Sequence, residues 1–177
     1  MDQAETNVSR DTANAGHDEC RAAYGAWITT SEGLERLGAE WQELLHEVAG
    51  GSDASSFDSI CKRWRQQTGA ELAIIAVRNT AGRLVGLAPF YVSCSLRDGV
   101  RRLSFLAETG AHHLKILIDA RFEDAVIQEI ARMLAHHRHE WDCIDLSLPG
   151  LMPLIDYVNA MASPANVPAA EPAAVIR

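Results

Sequence analysis

Residues 71–89, ELAIIAVRNTAGRLVGLAP, read as two apolar strands joined at the turn Asn79-Thr80-Ala81-Gly82. Asn and Gly accept the tight backbone that such a reversal needs, and the runs on either side are rich in Ile, Val and Leu. An apolar hairpin of this length has to be buried, so the rest of the chain must supply layers that cover it.

The neighbouring signals supply them. The strands run Leu72 to Val77, Leu84 to Ser93 and Val100 to Leu106, separated by the NTAG and RDG turn segments, and should form an antiparallel meander. Ahead of them, Tyr24 to Ile28 reads as a short strand. Leu34, Leu37, Trp41, Leu44, Leu45 and Val48 then recur at helical spacing up to Gly50-Gly51. A second helix is expected from Ser55, whose hydroxyl can accept from an amide near Asp58, with Phe57, Ile60, Cys61 and Trp64 inward. After the meander, Leu114 to Ile118 reads as a strand. A helix follows from Asp119 to about His139, with Val126, Ile127, Ile130, Leu134 and Trp141 as its buried line. Asp142 to Leu148 alternates as another strand, and Leu151 to Met161 reads as a last helix. The fold class is α+β, a mixed and largely antiparallel twisted sheet with helices on both faces.

Of the 177 residues, 47% are hydrophobic, enough to fill one core. The domain is expected over 24–162. Residues 1–23 are polar and aperiodic and read as a flexible tail, and 163–177, with Pro164, Pro168 and Pro172, read as an extended tail or linker. No apolar run suits a membrane span and the N-terminus does not look like a secretory signal, so the expected compartment is the cytoplasm. Cys20, Cys61, Cys94 and Cys143 form no C-x-x-C pair and read as buried reduced thiols. A formal net charge of −8 disfavours nucleic acid as a partner, and Arg97, Arg101 and Arg102 read as solvated charges flanking the turn at Asp98-Gly99.

The candidate chemistry is sparse. His136, His137 and His139 precede Glu140 at a helix end, and His136 and Glu140 share a face at i, i+4. Without H-E-x-x-H or an identified third ligand they read as structural histidines favoured by the helix C-terminus, and no metal site is expected. Ser93, Ser104 and Ser147 lack the G-x-S-x-G elbow of a nucleophile, while Gly82 and Gly86 straddle a hairpin instead of forming a phosphate loop. Trp27, Trp41, Trp64 and Trp141 read as packing residues.

In both order and wording the chain resembles the GNAT acetyltransferases, and within them the CelD/BcsL type. The similar segments are Phe57 with Trp64, RNTAGRLVGLAPFYV over 78–92, RRLSFLAETG over 101–110 and WDCIDLSLPG over 141–150. Where that family often shows an acidic-aromatic pair before its fourth strand, this sequence has Ala111-His112-His113. The resemblance implies two GNAT-like halves in tandem with the acyl-transfer site in the second. This chain resembles the first, and a second half or another subunit is the expected partner.

The implied reaction moves an acyl group from acetyl-CoA or another acyl-CoA to an amine or hydroxyl. Such enzymes hold the cofactor's pyrophosphate with backbone amides of a loop reading R/Q-x-x-G-x-G or G-x-A at a helix N-terminus. The matching connection here, Ile118-Asp119-Ala120-Arg121-Phe122-Glu123-Asp124, has no glycine and three acids, which suit an unliganded helix start and repel a pyrophosphate. Tyr157 could serve as the acid for a departing thiolate, and Glu108 or His112 as a base. The stronger reading of each is an ordinary packing or loop residue, so catalytic and cofactor-binding residues stay unassigned. The chain alone is expected to be weakly active or inactive. The alternative is a non-catalytic interaction module that keeps the GNAT-like packing and offers its last strand or helices to another protein.

Overall fold

The computed structural model describes residues 22–49, 56–106 and 116–145. Their strands are β1 (Ala23–Ile28), β2 (Ala70–Asn79), β3 (Leu84–Cys94), β4 (Arg101–Phe105), β5 (Leu117–Ile118) and β6 (Cys143–Asp145). The helices are α1 (Ser31–Arg36), α2 (Gly38–Ala49), α3 (Phe57–Gln66) and α4 (Glu123–His136), with 3-10 turns at Ala120–Phe122 and Arg138–Glu140. The sheet order is β1-β2-β3-β4-β6, antiparallel except for the parallel β4–β6 pair, and β5 also pairs with β3. This is the mixed, largely antiparallel sheet expected from the sequence.

Strand alternation builds two cores, one on each face of the sheet. On β2, Ala73, Ile75 and Val77 pack with Val126, Ile130 and Leu134 of α4, while Leu72, Ile74 and Ala76 pack with Leu34, Trp41, Leu44 and Ile60 from α1 to α3. All of these are buried. The period-2 geometry of a strand makes the six-residue apolar run from Leu72 to Val77 the natural centre of a three-layer fold.

The β2–β3 turn forms as expected. Gly82 takes a left-handed φ of +80°, its amide donates to the Asn79 carbonyl at 2.9 Å, and the Asn79 side chain accepts from the amides of Ala81 and Arg83. The register then slips. Arg78 pairs with Leu84 and Val77 with Gly86, leaving Val85 without a partner on β2. This bulge turns Val85 and Gly86 toward the same side, under α4.

A second irregularity positions the start of α4. Phe105 pairs with Phe90 and Leu117 with Leu87, so the chain between them is far longer than the stretch of β3 it spans. The pairing with β3 therefore stops after β4 and resumes at β5, directly before the bend into α4.

At the opposite edge, the Gly25 amide donates outward to the carboxylate of Glu129, itself held by Arg132. An α4 side chain thus satisfies a β1 edge donor that would otherwise be open to another strand.

Several expectations need correction. The single helix read through Leu34 to Val48 is two, because the chain turns at Leu37, and Val48 is exposed. The α3 cap is Ser56, whose hydroxyl accepts from the Ser59 amide at 3.3 Å; Ser55 lies outside the described residues. The helix ending near His139 stops at His136 and gives way to a 3-10 turn. The thiols are not buried as a set: Cys94 is exposed where β3 runs into its hairpin loop, and Cys61 and Cys143 are half-buried. Cys20, both expected tails and the helix over 151–161 lie outside the described residues, as does most of the strand expected over 142–148 beyond Cys143–Asp145. Among the described residues no helix is long and apolar enough to cross a membrane.

Candidate functional site

The bend between β5 and α4 is the place where the resemblance implies a cofactor loop, and the fold closes it from within. The Asp119 amide donates to the carbonyl of the bulged Val85 at 2.9 Å, which pins the bend to β3. The Asp119 carboxylate accepts from the Arg121 amide at 3.1 Å, from Arg121 Nε at 2.9 Å and from Arg121 Nη2 at 2.6 Å. It also accepts from the Arg83 guanidinium, which reaches across from the end of the β2–β3 turn. Arg83 in turn holds Glu47 of α2 at 2.9 Å, and Arg121 lies 3.6 Å from the same carboxylate.

Asp119 is only 6% exposed, so its charge must be met inside the protein. The hydrogen bonds from Arg121 hold its carboxyl below the usual carboxylate range, with the Arg83 charge adding to them and burial opposing. Asp119 thereby stays ionised, and the Arg121 guanidinium is raised in turn.

These residues do not fit a diphosphate. The Asp119 and Arg121 amides are bonded as described, and the Phe122 amide donates to the Asp119 carbonyl at 2.8 Å. Glu123 and Asp124, exposed at the first turn of α4, add negative charge. An incoming phosphate would meet three acids and, at Asp119, Arg121 and Phe122, amides already engaged. Beside the cluster, Glu40, Glu43, Leu44, Glu47, Arg83 and Leu84 line a small groove.

The histidines assemble elsewhere, at the far end of α4. His137 stacks on Trp27 of β1, with ring centroids 4.3 Å apart and planes 6° from parallel. Glu140 Oε1 lies 2.7 Å from His137 Nδ1, and Glu140 Oε2 accepts from Trp27 Nε1 at 3.1 Å. Because a carboxylate only accepts, Nδ1 carries the proton in this bond. The ring that meets Glu140 is His137 and not His136, its i, i+4 neighbour, and His136 and His139 are exposed. No group of three metal-ligating side chains occurs among the described residues. The arrangement joins β1 to the end of α4.

Arg101 and Arg102 are paired instead of merely solvated. Arg101 binds Asp142 through its backbone and side chain, which holds the Asp142 carboxyl down at about 2, and Arg102 binds Asp98 at 2.8 Å. Ser93 and Ser104 sit half-buried in the sheet ladder, opposite Arg102 and Tyr91. Trp41 and Trp141 are buried; Trp27 and Trp64 are partly so, each with its indole N–H donating, Trp64 to Ser31. Glu108, His112, His113, Ser147 and Tyr157 lie outside the described residues.

No protein-family model and no curated protein matches the chain. Among solved structures, one similar fold is a ribosomal-protein-alanine N-acetyltransferase from Brucella melitensis biovar Abortus 2308, with a TM-score of 0.45 at 19% identity over 88% of this chain and 99% of that one. A GCN5-related glucosamine N-acetyltransferase region of a fungal multi-domain GH3 β-N-acetylglucosaminidase gives 0.43 at 12% identity over 70% of this chain and 13% of that one. An integron cassette protein from the mobile metagenome of V. cholerae gives 0.44 at 11% identity over 88% and 91%.

Proposed function

We propose that the chain is a GNAT-like acyltransferase domain equivalent to the N-terminal half of a CelD/BcsL-type acetyltransferase, one that contributes architecture and acceptor binding instead of the acyl-CoA site. The reaction served is transfer of an acyl group from acyl-CoA to an amine or hydroxyl, with the cofactor loop supplied by a second GNAT-like half or another subunit. The observation that carries the reading is the bend at 118–124. By the resemblance this bend corresponds to the cofactor loop; it lies between an antiparallel meander and a helix that leads into a parallel strand, and Asp119 fills it. The worded resemblance over 78–92, 101–110 and 141–150 supports the narrower assignment.

A thermal melt of the chain alone with millimolar acetyl-CoA tests this. A ligand at 100 times its dissociation constant would stabilise the folded state by about 2.7 kcal/mol, a shift of several degrees in a domain of this size. No shift is expected, and a saturable rise in Tm would replace the half-domain reading with that of an autonomous enzyme.

A further inference from the structure

We propose that Asp119 is a built-in anion that occupies the oxyanion-binding capacity of the bend. The inference takes from the proposed function only the identity of the bend as the cofactor position. Its basis is the donor set: two guanidiniums and the Arg121 amide converge on one buried carboxylate. Those are the donors that recognise phosphate, since guanidinium and amide groups bind carboxylate and phosphate oxygens in the same way. The carboxylate is tethered two residues from Arg121 and is always present at high local concentration, so a diffusing oxyanion competes against an intramolecular partner.

Removing it changes the balance. Arg83 and Arg121 would then keep Glu47 as their remaining paired carboxylate, beside the Arg121 amide of the 3-10 turn, while Glu123 and Asp124 stay exposed at the first turn of α4. Both guanidiniums are accessible, with side-chain exposures of 40% and 68%, so a small oxyanion can reach them. The ligand class for the opened bend is inorganic phosphate or pyrophosphate.

The test uses inorganic pyrophosphate as probe, titrated into the full chain at constant ionic strength and followed by thermal shift and by backbone amide chemical shifts. The wild type should show no saturable response, and Asp119→Ala should bind at least tenfold more tightly, with the Arg121 amide among the perturbed signals. Adding Arg83→Gln to Asp119→Ala should weaken that binding again. Asp119→Asn, which keeps the shape and one acceptor but not the charge, should fall between, and it carries the test if Asp119→Ala does not fold. An Asp119 variant as indifferent to pyrophosphate as the wild type overturns the proposal, and so does wild-type binding at the bend. Acetyl-CoA binding to the wild type away from the bend would instead sink the half-domain reading and leave this inference standing.

Discussion

Trp41→Ala is expected to destabilise the fold by about 3–5 kcal/mol, a large share of a domain's net stability. The indole is 1% exposed on α2, among Leu34, Leu37, Leu44 and Ile60, and meets the Phe57 ring of α3 edge-on with centroids 5.8 Å apart. It links all three helices that cover one face of the sheet, so truncation leaves a cavity that no single helix can collapse into. Trp41→Phe keeps an aromatic ring against Phe57 and should recover most of the loss. Urea denaturation of the three proteins measures it, and a loss below about 1 kcal/mol for the alanine variant would mean that this layer is not packed as described.

Gly86→Ala is the second large effect, on the other face. A Cβ at Gly86 would lie 2.3 Å from Val126 Cγ1 and 2.9 Å from Cγ2, so α4 would have to move off β3. Overpacking of this kind costs about 1–3 kcal/mol, and here it would also disturb the bend at Asp119, which enters the same helix. Val126→Ala alone should cost about 2 kcal/mol, for two lost methyl groups and the cavity. The double variant is expected to be more stable than the two losses summed, by about 0.5–3 kcal/mol, because each change relieves the other. Additive losses in a double-mutant cycle would contradict the contact.

The meander was legible because its signals agree: apolar runs of strand length, an Asn-x-x-Gly turn and an Asp-Gly turn are each local in the sequence. The break between α1 and α2 was not, since the spacing of Leu34, Leu37, Trp41 and Leu44 runs through it without interruption. The Val85 bulge is equally silent, because in LVGLAPF nearly every residue is apolar and either phase buries a hydrophobic side chain. Asp119 was read as an acid that discourages phosphate, and in the structure its carboxylate accepts from Arg121 and Arg83. What the sequence could not reveal is the company it keeps. Arg83 reaches it, and Glu47 reaches Arg83, only through the fold, and no local pattern links a turn, a helix and a bend. The histidine cluster shows the same limit: its partner in space is Trp27, on the first strand.

The central claim is that the bend from Ile118 into α4 is filled by the protein's own carboxylate. It is tested most directly by titrating coenzyme A into isotope-labelled chain and following the backbone amides of residues 118–124. The account predicts that these signals stay where they are at millimolar ligand. Saturable shifts of the Asp119, Arg121 and Phe122 amides in the unmodified protein would contradict it.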